Sequence, residues 1–242
     1  MTPELSVVVP VFDEQDNVLP LIKEIVDALA PRLKFEIIFV DDCSSDRTLD
    51  VLKSAKAEFE QLRVIGHDRN YGQSSAIRSG VLAARGELIA TLDGDGQNDP
   101  ADLPLLVDTY RKRAQDGPIG MVSGRRVGRR DSWMKQKASF IGNGIRRFFL
   151  RDKAVDTGCS LKVFARELFL RLPYFDHMHR YLAALVLREG LAVDFVNVSH
   201  RSRLHGSSKY GILDRAFVSI SDLAGVLWLR RRGSIAKNTQ EF

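Results

Sequence analysis

Two spacings alternate along this chain. Short runs rich in Val and Ile, apolar at nearly every position, recur between stretches whose apolar residues repeat every three or four positions. The runs "LSVVVPVF" (5–12), "FEIIFVDD" (35–42), "LRVIG" (62–66), "GELIATLD" (86–93) and "IGMVSG" (119–124) read as strands. Between them, Val18–Leu29, "SSDRTLDVLKSAKAEF" (44–59), "GQSSAIRSGVLAA" (72–84) and "PADLPLLVDTYRKRA" (100–114) read as helices. The third helix is built of small residues, which suits close packing on a sheet. Continuous apolar strands predict a sheet covered on both faces. Strands alternating with helices predict right-handed crossovers and a mostly parallel α/β sheet. Ligand crevices in such sheets lie beyond the carboxyl ends of the strands, and Asp41, Asp42 and Asp93 fall at those ends.

After Gly124 the pattern loosens into a basic loop, "RRVGRRD", and then an aromatic, basic helix over 132–150. "GCSLKVF" (158–164) predicts a further strand, "HRYLAALVLREG" (179–190) a helix and "AVDFVNV" (192–198) another strand. "SHRSRLHGSSKYG" (199–211) has no core-forming period and reads as a polar loop. The last element is an apolar helix over 212–233 closing in Arg230, Arg231 and Arg232.

Composition narrows the class. The chain has 242 residues, 44% of them hydrophobic, enough for one substantial core rather than disorder. Cys43 and Cys159 cannot support a disulfide framework and suggest a reducing compartment. The N-terminus lacks a basic signal-peptide region, and no apolar run approaches the ~20 residues of a membrane-spanning helix. Charge is segregated. Residues 125–153 carry ten Lys/Arg against Asp131 and Asp152, and residues 199–242 carry eight against three acids. The rest of the chain is therefore net −8 within an overall +5. An acidic body with two basic segments points to anion or membrane contact, with nucleic acid as a rival.

The densest chemistry lies in "LDGDGQNDP". Asp99 precedes Pro100 and reads as a helix-initiating residue. Asp93 and Asp95, close together at a buried strand end, repel each other unless a cation offsets them. An EF-hand would need Gly at the sixth position and Glu at the twelfth, where this chain has Asn98 and Pro104. An aspartate-nucleophile phosphatase would place such a motif after its first strand, not its fourth. The third reading, favoured over the phosphatase alternative, is Mg²⁺ or Mn²⁺ shared with a diphosphate, since such ions keep phosphate and water ligands.

"SVVVPVFDEQDNV", "FEIIFVDDCSSDRT", "RNYGQSSAIRSG" and "ATLDGDGQNDP", followed by "VDTGCSLKVF", "HMHRYLAALV" and "RLHGSSKYG", resemble in order the glycosyltransferase family 2 enzymes of the dolichol-phosphate mannosyltransferase type. The resemblance implies a Rossmann-like GT-A fold over 1–210, with residues 211–242 forming an amphipathic membrane-associating helix and tail. It implies a nucleotide-diphosphate sugar as donor, GDP-mannose first and UDP-glucose or another UDP-sugar as the rival. Asp93, Asp95 and Gln97 would hold the metal. Pro10, Phe12, Glu14, Asp41 and Asp42 would form the nucleoside pocket, with Gln73 and Arg78 beside it.

A sugar transferase acting on a hydroxyl needs a base. Where many relatives have an acidic pair, this chain has "FDHMHRYL", so His177 and His179 are the substitutes. A phosphate monoester, with a second pKa of about 6, needs none. Arg125, Arg126, Arg129 and Arg130, with Arg203, Ser208, Lys209 and Tyr210, suit such an acceptor because guanidinium forks and hydroxyls bind phosphate. Asp95, Arg126 and Arg203 are then the candidate catalytic residues, and polyprenyl phosphate the acceptor. Trp133 and Phe148, interleaved with basic residues, and Trp228 before Arg230–Arg232 suit an interfacial attachment. The expected location is the cytoplasmic face of a membrane, held peripherally, alone or with a membrane partner or second copy.

Overall fold

The computed structural model describes residues 2–127, 150, 156, 158–201 and 212–232, with backbone only for 212–220. Its strands are β1 (Leu5–Val11), β2 (Phe35–Asp41), β3 (Leu62–Gly66), β4 (Leu88–Thr91), β5 (Ile119–Arg126), β6 (Lys162–Ala165) and β7 (Ala192–Val198). They form one sheet in the order β3-β2-β1-β4-β6-β5-β7. β1 pairs in parallel with β2 and β4, β2 with β3, and β5 with β7, whereas β6 runs antiparallel to both β4 and β5.

The continuous apolar character of the strands has the cause expected of it. Every residue of β2 is buried, because helices cover both faces. On one side Val7, Val9, Ile37, Phe39, Ala90 and Val122 meet α1 (Val18–Leu29), α2 (Thr48–Ala55) and α4 (Leu103–Asp116). On the other, Val8, Ile38, Val40, Ile89, Met121 and Phe164 meet α3 (Gln73–Ala83), α5 (Arg166–Arg171) and α6 (Leu182–Arg188). The small residues of α3 allow the close approach predicted. A Cβ built on Gly80 would lie 2.4 Å from Val8 Cγ1, so a larger residue would push the helix off the sheet.

Two helices are shorter than their patterns. α2 starts at Thr48 rather than Ser44, because Ser44 and Ser45 bond to Asp41 and Asp13 while Asp46 Oδ1 accepts from Thr48 N at 2.9 Å. α6 starts at Leu182, after a 3-10 turn over Met178–Arg180. α5 lies in a stretch whose pattern predicted no element. The last helix, α7 (Ile212–Arg231), packs Leu223, Val226 and Leu227 against Leu150, Tyr181 and Ala184. Trp228 on its outer side is 60% exposed. Among the described residues, no helix is long and apolar enough to cross a membrane.

Candidate active site

The strand order fixes where a ligand can enter. From β1 the chain winds to β2 and β3 on one side, then returns to place β4 on the other side of β1. The connections leaving β1 and β4 part there, opening a crevice beyond their carboxyl ends. Pro10–Glu14, Asp41–Asp42 and Asp93–Asp95 all arrive at that edge of the sheet.

At the β2 end the carboxylates are engaged by the protein itself. Asp42, 3% exposed, accepts from Tyr71 N at 2.9 Å and Gly72 N at 2.7 Å, and its Oδ1 lies 2.7 Å from His67 Nδ1. Asp41 accepts from Ser44 Oγ at 2.5 Å and Ser44 N at 3.2 Å. Both residues therefore hold the loops beside the β2 end, where the nucleoside is expected. Glu14 Oε2 accepts from Asn17 Nδ2 at 2.6 Å, and its backbone N–H donates to Thr48 Oγ1 at 2.8 Å. Pro10 and Phe12 are half-buried at the end of β1.

The β4 end is built differently. Gly94 sits so close to β1 that a Cβ there would lie 2.3 Å from Val11 Cγ1, so only glycine lets this loop cross the strand end. Asp95 Oδ1 accepts from Gln97 N at 3.1 Å, closing a tight turn. Asp93 Oδ1 accepts from Gln73 Nε2 at 2.7 Å, which brings the first residue of α3 to the motif. Gln73 thus meets the acidic loop. Burial, and then the neighbouring Asp95 charge, raise the Asp93 pKa above its usual range; Ser160, Lys162 and Arg126 partly oppose this. Accumulated negative charge of this kind favours a divalent cation. Among the described residues no third His, Cys, Asp or Glu completes a ligand cluster. A cation here would take its other ligands from water and diphosphate, as Mg²⁺ commonly does. Gln97 joins the loop through its backbone N–H, and its carbonyl accepts from Arg201 N at 3.0 Å.

The basic candidates separate. Arg126 forms a bidentate pair with Asp156, Nε to Oδ2 and Nη2 to Oδ1 both at 2.7 Å, and Asp156 is 6% exposed. Its pKa rises because the hydrogen bond and charge of Asp156 outweigh the opposing effect of burial, with Asp93 adding a smaller share. Arg126 therefore reaches the site as half of an ion pair. Arg125, one position earlier in the strand, points elsewhere and donates to Asn197 Oδ1 from Nε and Nη2 at 2.9 and 2.7 Å. Arg78 is exposed and stacks over Tyr174 at 5.1 Å. Arg129, Arg130, Trp133, Phe148, Arg203, Ser208, Lys209 and Tyr210 lie outside the described residues.

The two histidines also differ. His179 Nδ1 lies 2.7 Å from Ser74 Oγ in the first turn of α3. Burial, followed by the charges of Arg180, Lys162 and His177, holds its pKa well below the usual histidine value. His177, in a left-handed backbone conformation, faces Asp222 of α7 at 3.3 Å.

Sequence reasoning overlooked Lys162, which is 6% exposed and donates from Nζ to the Cys159 carbonyl. Burial lowers its pKa, while Cys159, Asp93 and Asp156 act in the other direction. A lysine between Leu161 and Val163 in an otherwise apolar strand was the available signal. Asn98 was also overlooked. Its Oδ1 accepts from Ser160 Oγ at 2.7 Å and Asp93 N at 3.4 Å, tying the acidic loop to the turn before β6.

The sheet is mostly parallel and carries an acidic loop at its switch point. Residues 6–172 match the family described as "Glycosyl transferase family 2", and the chain belongs to that family. It is 37% identical over 233 residues to a dodecaprenyl-phosphate galacturonate synthase of Rhizobium johnstonii, covering 94% of this chain and 68% of that protein. It is 34% identical over 212 residues to an undecaprenyl-phosphate 4-deoxy-4-formamido-L-arabinose transferase of Edwardsiella ictaluri, covering 86% and 63%. The chain thus spans about two thirds of the length of these relatives. The fold matches a glucosyl-3-phosphoglycerate synthase from Mycobacterium tuberculosis solved with Mn²⁺, UDP-glucose and glycerol 3-phosphate. That match has a TM-score of 0.68 at 18% identity and covers 94% of this chain and 80% of the other. It also matches a mannosyltransferase from Pyrobaculum calidifontis solved with GDP-mannose and Mn²⁺, with a TM-score of 0.65 at 17% identity over 98% and 66%. These are GT-A-like neighbours, as the resemblance implied.

Proposed function

We propose that this glycosyltransferase moves a sugar, with inversion at the anomeric carbon, from a nucleotide-diphosphate sugar to a polyprenyl phosphate. The observation that carries the acceptor is the state of His179. His179 is packed against Ser74 Oγ at 2.7 Å and burial holds its pKa well below the usual value, so it is a weak proton acceptor, which favours a nucleophile that arrives already ionised. The polyprenyl-phosphate specificity named for the two relatives supports the same reading.

Asp93 and Asp95 would hold Mg²⁺ or Mn²⁺ at the donor diphosphate. When bound, that ion supplies charge stabilisation to the departing nucleoside diphosphate. Gln73 orients Asp93 through its 2.7 Å contact. The loops set by Asp41 and Asp42 hold Pro10, Phe12 and Glu14 around the nucleoside. Arg126, oriented by Asp156, would meet the acceptor phosphate, and Arg203, Ser208, Lys209 and Tyr210 are the further candidates for it. The relatives are named for galacturonate and a formamido-arabinose rather than mannose, so the sugar is not tied to mannose, and GDP-mannose and UDP-sugars are both donors to test. Trp228, Arg231 and Arg232, on the outer side of α7, would meet anionic head groups at the cytoplasmic membrane face. A membrane-spanning partner or a second copy would strengthen that attachment.

The test is a donor panel with the purified chain, a short soluble prenyl phosphate and Mn²⁺, reading which nucleoside diphosphate is released. Release without any prenyl-phosphate product would overturn the acceptor. His179→Ala should keep transfer within about tenfold; a loss of about a thousandfold with donor binding intact would restore a general-base role.

A further inference from the structure

The acidic loop is fastened on its outer side by a chain segment that the family motifs do not include. Beyond β7, Ser199 N donates to Asp102 Oδ2 at 2.7 Å, and His200 makes an antiparallel bridge with Asn98. Arg201 N then donates to the Gln97 carbonyl at 3.0 Å. The Arg201 side chain spans two elements, Nη2 to Asp99 Oδ1 at 2.7 Å and Nη1 to Glu24 Oε2 of α1 at 2.8 Å. Asp99 also accepts from Ala101 N at 3.0 Å, which starts the 3-10 turn before α4.

We infer that Arg201 is a positioning residue: it sets the loop carrying Asp93 and Asp95 by clamping that loop's far end to α1. This rests on the proposed role of those two aspartates. A partly exposed ion pair holds little on its own. Here, however, one guanidinium joins carboxylates on two separate elements while its own backbone pairs with the loop between them. Lysine carries a point charge rather than a fork and cannot reproduce that geometry. The loop needs such a restraint. It crosses the end of β1 through Gly94, where a Cβ would lie 2.3 Å from Val11 Cγ1, so its path tolerates little displacement.

The experiment compares wild type, Arg201→Gln, Arg201→Lys and Asp99→Asn. The first measurement is amide hydrogen exchange across residues 93–99 without metal. Both Arg201 variants and Asp99→Asn should exchange faster in this loop by roughly tenfold, while β1 and β2 remain as protected as in wild type. Unchanged exchange in the loop would overturn the clamp, whatever the protein's activity. Loss of protection in β1 and β2 as well would make Arg201 a general stability residue and also overturn it. The second measurement is the Mn²⁺ concentration giving half-maximal binding of UDP or GDP, read by calorimetry. Arg201→Gln should raise it by roughly tenfold, in the range found when residues supporting a metal ligand are lost. An unchanged value would show that the clamp does not serve the metal site. If wild type itself binds neither nucleotide with Mn²⁺, the transfer reading fails, and the exchange result alone decides the clamp.

Discussion

The ends of β2 and β4, flanking β1 on either side, both present acidic residues to one crevice, yet they are constructed in opposite ways. At β2, Asp42 is surrounded by donors: two backbone N–H groups from the loop before α3 and the ring of His67. At β4, Asp93 faces a second carboxylate, and burial together with that neighbour makes its ionised form costly. The first arrangement satisfies its charge from within and holds a loop in place. The second leaves charge that a cation from outside would offset. An acid at a strand end therefore does not identify a ligand. The donors around it decide.

The largest effect should follow from Asp95→Asn. Transfer and Mn²⁺-dependent nucleotide binding should fall by at least about a hundredfold, because the variant removes a proposed metal ligand. The melting temperature should hold or rise, since repulsion with Asp93 is relieved. A folded variant that retains transfer would erase the contrast between the two ends.

Asp42→Ala should do the reverse, costing stability first. The N–H groups of Tyr71 and Gly72 would lose their acceptor, at a cost of about 3 kcal/mol, or roughly 6–12 °C in melting temperature for a chain of this length. Nucleotide binding should weaken only as far as the loop loosens. Calorimetry showing lost binding with an unchanged melting temperature would return Asp42 to direct nucleoside contact.

A smaller effect concerns pH. The Asp93 pKa is raised in the folded protein, so its neutral form favours folding. Its contribution is complete below the ordinary value of 3.8 and is lost as pH rises through the raised value. Metal-free Asp93→Asn should therefore melt higher than wild type at neutral pH, and the gap should close as pH falls through that window. Parallel melting curves at every pH would show that Asp93 is not under this strain. The smallest effect belongs to Arg78→Ala. It should cost under about 1 kcal/mol by losing its contact with Tyr174 and should leave nucleotide binding unchanged.

Much of this was legible in the residues. The first five strands appear within a few positions of their expected bounds, because a strand buried on both faces must be apolar throughout. The motif "DGDGQNDP" showed both its carboxylates and the glycine needed to cross β1. The partners of Asp41, Asp42, Gln73, Arg78 and Arg125 within the fold were not legible. Most lie far along the chain: Tyr71 and Gly72 for Asp42, Asp93 for Gln73, and Asn197 for Arg125. A residue type states what it can bond, and only the fold states what stands within 3 Å of it.

By itself the sequence determined the alternation of strands and helices, the acidic groups at their carboxyl ends and the basic character of the chain after β5. These rest on local spacing and on steric rules that act within a few residues. The tertiary structure alone decided that β6 enters antiparallel between β4 and β5. That placement buries Lys162 opposite Thr91, two residues before Asp93. It alone joined Arg126 to Asp156 and Arg201 to Asp99 and Glu24. Such pairings depend on which strands become neighbours, a question settled by packing the two faces of the whole sheet and not by any single segment.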